Sequence, residues 1–237
     1  MKKALLAILL GTATLVALAA PVPAKKKLDP PTEDELKASA KNLKQIGIAY
    51  HSYVDTYGRC PDNILDGDNK PILSWRVVLL PYLEEEKLFK EFKLDEPWDS
   101  KTNKPLIEKL PKVYKPIRVT AEKGETFYRG FSCAGATFDR VPKRFPASFP
   151  DGTSNILLAF EAGEPCIWTK PDDLGDAKAA LPKLGGLFEG DFHALMCDGS
   201  VYLGKSAKVD AEEFRKLITR ADGDIVDRAK ALGIEKK

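Results

Sequence analysis

The sequence predicts an α+β fold, in which one long N-terminal helix packs across an antiparallel sheet. Three observations predict it. Apolar side chains recur at helical spacing from Leu36 to Tyr57; alternating, β-rich segments appear only after about residue 113; and an Asp198-Gly199 turn joins two of them. Helices gathered before strands argue against alternating βαβ units and a parallel sheet.

The first segment is not part of that domain. Lys2 and Lys3 precede an apolar run from Ala4 to Ala20, with small-x-small sites at its end, Ala17-Leu18-Ala19, and just beyond it, Val22-Pro23-Ala24. This order reads as a secretory signal peptide over residues 1–24, and the run is short for a membrane span. Residues 25–31, rich in Lys and Pro, form a linker, and residues 32–237 form a single domain. The expected location is secreted, periplasmic or at the cell envelope, with no membrane contact after cleavage.

Lys2 and Lys3 also account for the whole formal charge of +2, so the mature chain is neutral. A neutral body has no general attraction for nucleic acid or anionic lipid.

Thr32 opens the long helix with Glu35 three residues on, a capping box. Leu36, Ala40, Leu43, Ile46, Tyr50, Tyr53 and Tyr57 make its stripe, and Gly58 stops it. Residues 59–71 read as loop from their Asp, Asn, Gly and Pro content. Ser74 to Phe92 is helical in pattern but interrupted by Pro81, and Ser100 to Leu110 suits a short helix. Thr126–Cys133, Asn155–Phe160 and Phe192–Leu203 read as strands, the last folded on itself at Asp198-Gly199. Asp210 caps a final helix that turns Phe214, Leu217 and Ile218 inward.

Chemistry is sparse. His193 and Cys197 stand four apart, which on a strand is about 13 Å and too far for two ligands of one ion. Asp66-Gly67-Asp68-Asn69 begins like a calcium loop, but Pro71 and Val77 occupy the positions where an EF-hand needs Gly and Glu. A looser calcium site from Asp62, Asp66 and Asp68 stands against an ordinary polar turn. Gly130-Phe131-Ser132-Cys133-Ala134 lacks the second Gly of a nucleophile elbow. Trp98 and Trp168 would stack on a ligand such as a sugar if exposed, and would close the core if packed. Cys60, Cys133, Cys166 and Cys197 are candidates for two disulfides in an exported chain, with buried thiols as the other reading. No residue is assigned a catalytic role, and no cofactor beyond the calcium option is implied.

Several segments together resemble one family. They are Lys41-Asn42-Leu43-Lys44-Gln45-Ile46-Gly47, the Tyr57-Gly58-Arg59-x-Pro61 turn, Ser74-Trp75-Arg76-Val77 and Pro81-Tyr82-Leu83. Pro97-Trp98-Asp99, Asp151-Gly152-Thr153-Ser154-Asn155-Ile156-Leu157, Trp168-Thr169-Lys170-Pro171 and Phe192-His193-x-x-x-x-Asp198-Gly199-Ser200 complete the set. The chain resembles the domain of unknown function 1559 family, known largely from planctomycetes and similar to type IV pilins and secretion pseudopilins. The resemblance implies a pilin-like domain with a long helix on an antiparallel sheet and no known enzyme activity. It departs from the family twice. A Lys/Pro linker stands where many members run a prepilin-type apolar segment directly into the helix, and Phe188 stands where many carry a His.

The expected function is that of a non-catalytic structural or interaction component of the cell envelope, with envelope proteins or glycans as partners. A solute- or glycan-binding module is the alternative.

Overall fold

The computed structural model describes residues 29–118, 122–175 and 180–234. The expected signal peptide, residues 1–24, and most of the expected linker lie outside the described residues. Helix α1 runs Glu33–Tyr57, with the Thr32–Glu35 capping box formed and Gly58 left-handed at φ 66°. Its 25 residues span about 38 Å. After it come a small ribbon of β1 (Ile64–Leu65) and β2 (Pro71–Leu73), then α2 (Trp75–Val78), a 3-10 turn over Leu80–Leu83 and α3 (Glu86–Glu91). Pro81 breaks the second helical pattern where expected, because it has no N–H to give the helix ladder.

The main sheet is antiparallel, in the order β3 (Glu125–Arg129), β4 (Leu157–Ile167), β5 (Asp191–Met196) and β6 (Val201–Lys205). Two short helices follow, α4 (Ala211–Lys216), capped by Asp210, and α5 (Arg228–Leu232). The α+β expectation holds.

Strand alternation decides which helix covers which face. Along β5, Leu195 and the following Cys197 join the cluster of Leu43, Ile46, Tyr50 and Tyr53 from α1. Phe192, Ala194 and Met196 join the opposite cluster, with Phe214, Leu217 and Ile218. The sheet is therefore covered on both faces, which explains why β4 is buried continuously from Leu157 to Ala162 rather than alternately. Close approach is needed where α5 meets β6: a Cβ on Gly204 would lie 2.5 Å from the Leu232 carbonyl oxygen.

The ribbon corrects the reading of residues 59–71 as plain loop. Asp66-Gly67-Asp68-Asn69 is its turn: Asp66 Oδ1 accepts from the backbone N–H groups of Asp68 and Lys70, and Asn69 sits at φ 59°. That is an Asx-type turn, for which short polar side chains are suited.

Candidate functional site

Three buried polar clusters run through the core; the first two share Tyr128, and the third adjoins the second where the Asn63 N–H donates to Asp62. The first joins α1 to three strands. Tyr128 on β3 pairs across the sheet with Glu161 on β4, and His193 on β5 lies beside Glu161 in turn. Glu161 Oε2 accepts from the His193 backbone N–H at 2.6 Å and lies 2.8 Å from its Nδ1. Ser39 Oγ, from α1, donates to Glu161 Oε1. Tyr128 Oη sits 2.9 Å from Ser39 Oγ and accepts from Asn42 Nδ2 at 3.3 Å. Ser39 and Glu161 are 0% exposed and His193 is 3%.

The second cluster is built on Ser74-Trp75-Arg76. Arg76 Nε and Nη2 both donate to the Tyr128 carbonyl, at 3.0 and 2.6 Å, and Nη1 donates to Ser74 Oγ at 2.6 Å. Asp173 lies 3.6 Å from Arg76 Nη2, and both side chains are fully buried. Asp173 also accepts from Trp75 Nε1 and from Asn63 Nδ2, at 3.1 and 2.9 Å. Tyr128 thus belongs to both clusters, through its hydroxyl and through its carbonyl. Burial pushes its hydroxyl well above the ordinary tyrosine range, so it stays a neutral O–H.

The third cluster surrounds Lys143, whose side chain is 1% exposed. Its Nζ donates to Asp62 Oδ2, Asp139 Oδ1 and the Val141 carbonyl, at 2.9, 2.8 and 2.7 Å. Arg220 Nη1 reaches Asp139 Oδ2 at 2.6 Å. Burial raises the Asp62 carboxyl despite Lys143. At Asp139 burial also pushes upward, but the bonds and charges of Lys143 and Arg220 outweigh it and hold the group low. Because Asp62 and Asn63 are adjacent, the three clusters form one polar spine through the molecule.

The sequence-predicted residues fall as follows. Trp168 is 0% exposed, packs edge-on to Phe92 and donates Nε1 to the Ile107 carbonyl at 3.0 Å. Of its two expected places, the packed one holds and the stacking one does not: the ring fills the core and has no face for a ligand. Trp98 is half-buried, with Lys170 Nζ 5.7 Å from its ring centre. The tryptophans are therefore not a pair beside a cleft. Asp62 is bound to Lys143, and Asp66 and Asp68 belong to the ribbon turn. Among the described residues no group of three His, Cys, Asp or Glu side chains is arranged to hold a metal ion, so the proposed calcium ligands are not brought together.

The disulfide expectation is also corrected. No disulfide joins any two of Cys60, Cys133, Cys166 and Cys197. Cys197 is buried at the end of β5, 3.5 Å from Thr137 Oγ1, and burial pushes its thiol up to about 12. Burial likewise raises Cys60 and Cys166. Held as neutral thiols in the interior, they behave as small apolar side chains. Ser132 donates its backbone N–H to the Leu174 carbonyl as part of a strand-like bridge, not an elbow.

Sequence reasoning missed Ser39, Arg76, Glu161, Lys143 and Asp173. A signal existed for two of them. Glu161 follows the apolar run Ile156-Leu157-Leu158-Ala159-Phe160, and Arg76 lies between Trp75 and Val77-Val78-Leu79-Leu80. A lone charge inside an apolar run has to find a buried partner.

The sequence profile of a family described as protein of unknown function (DUF1559) matches residues 38–163, just over half of the chain. That span covers most of α1, the Ser74-Trp75-Arg76 segment, Lys143 and Glu161. No curated protein and no solved structure matches the chain.

Proposed function

The chain belongs to the DUF1559 family of proteins of unknown function, and on that premise we propose that it is an exported, non-catalytic, pilin-like domain serving as a structural or interaction component of the cell envelope. One observation carries the reading. The buried carboxyl and imidazole of Glu161 and His193 are used in joining α1 to the sheet. Glu161 and His193 are a carboxyl–imidazole pair suited to proton transfer, yet they are sealed beneath α1 and tied to Ser39. Reaction of a substrate needs such a pair to face a site that the substrate can enter. Instead, Ser39, Tyr128 and Glu161 fasten the long helix to the sheet.

Export rests on the Lys2-Lys3 start and the Ala4–Ala20 apolar run. Fractionation of native cells with N-terminal sequencing tests it. The expected product lies outside the cytoplasm and begins just after Ala19 or Ala24. A cytosolic chain still carrying Met1 would overturn the proposal.

A further inference from the structure

Beside the Lys143 cluster lies an open cavity of about 320 Å³, lined by Tyr53, Arg59, Ile64, Val78, Arg140 and Val141 among others. Its size fits the lower end of ligand sites. At roughly 30 Å³ for each water-sized group, it holds a body of about ten non-hydrogen atoms.

Charge is what singles it out. Asp62 forms part of the wall, but its carboxyl already accepts from Lys143 Nζ and from the backbone N–H groups of Asn63 and Arg140. Lys143 and Arg220 together balance Asp62 and Asp139. Arg59 and Arg140 are left over: neither guanidinium makes an ion pair or hydrogen bond with any described residue. Two uncompensated cations therefore border one partly apolar cavity. Arg140 is also held at φ 65°, a left-handed conformation uncommon for a residue with a side chain. The bond from its N–H to Asp62 fixes it there, beside the cavity. The Tyr53 hydroxyl has no hydrogen-bond partner among the described residues either. Burial raises its pKa, and the nearby Arg59 charge acts in the opposite direction.

We propose that this cavity binds a small organic anion, with an oxyanion head held by Arg59 and Arg140 and a short apolar body against Tyr53, Ile64 and Val78. Guanidinium groups suit such heads because their N–H donors match the oxygens in pairs. The site would give the domain a small-molecule ligand wherever in the cell it works, so its test is independent of export.

Calorimetric titration of the purified protein with benzoate, phenyl phosphate, inorganic phosphate and neutral benzyl alcohol tests the proposal. Benzoate or phenyl phosphate is expected to bind; benzyl alcohol and inorganic phosphate are expected to bind more weakly or not at all. Which of the two aromatic anions binds tighter identifies the head as carboxylate or phosphate. The Arg59→Gln/Arg140→Gln variant should lose affinity by about tenfold or more, with an unchanged urea midpoint because both side chains are exposed. Val141 is 53% exposed at the cavity rim. Val141→Trp should block binding with both arginines intact, and this gives a second reading if the double variant fails to fold. Failure of both aromatic anions to bind, equal binding of the neutral alcohol, or undiminished binding in either variant would overturn the site.

Discussion

Replacing Arg76 with Met should destabilise the protein by about 3–5 kcal/mol, the usual loss when one partner of a buried ion pair is removed. Against a native stability of order 5–15 kcal/mol, that is a large fraction. The cause is specific. Arg76 gives three hydrogen bonds, two of them to the Tyr128 carbonyl, and faces the fully buried Asp173. Without it, Asp173 keeps its bonds from Trp75 and Asn63 but has no cation, and the Tyr128 carbonyl loses its donors. Adding Asp173→Asn removes the stranded charge and should restore part of the loss. Urea unfolding of the two variants measures both effects. A loss under about 1 kcal/mol for Arg76→Met would mean the pair is solvated.

Glu161→Leu should cost a similar amount, about 3–5 kcal/mol, by a different route. Here donors rather than a charge are orphaned: the His193 backbone N–H, its Nδ1 side and Ser39 Oγ all lose the carboxyl. Each buried group left without a partner costs about 1–3 kcal/mol. Ser39 retains Tyr128 Oη, which limits the total. Ser39→Ala should therefore cost less than Glu161→Leu, and the pair of substitutions should be less than additive because the residues share one network. Urea midpoints for the two single variants and the double check this. Strict additivity would show that Ser39 and Glu161 do not interact.

The parts of the fold that were legible in the sequence are those set by local rules. The Thr32 box, the apolar stripe and Gly58 define α1 almost to the residue, and Asp198-Gly199 and Asp210 mark the β5–β6 hairpin and α4. The β1–β2 ribbon was not legible, because strands of two and three residues carry no period to detect. For Trp168 the sequence left packing and exposure as alternatives, since its burial depends on Phe92 and on the Ile107 carbonyl, both distant in the chain. The polar spine is the clearest case. Ser39 meets Glu161 across 122 residues and Trp75 meets Asp173 across 98. Only folding brings such partners together. Sequence shows a misplaced charge at Arg76 or Glu161; it does not show what answers it. Lys143, in a proline-flanked loop, gave no signal at all.

The spine implies that α1 and the sheet behave as one cooperative unit, and native-state hydrogen exchange tests this most directly. Amides of α1 from Leu43 to Val54 and amides of β4 and β5 should exchange only through global unfolding, with one free energy and one dependence on denaturant. If α1 exchanged through a separate opening of distinctly lower free energy while β4 and β5 stayed protected, the helix would be merely resting on the sheet, and the structural role assigned to the buried clusters would be wrong.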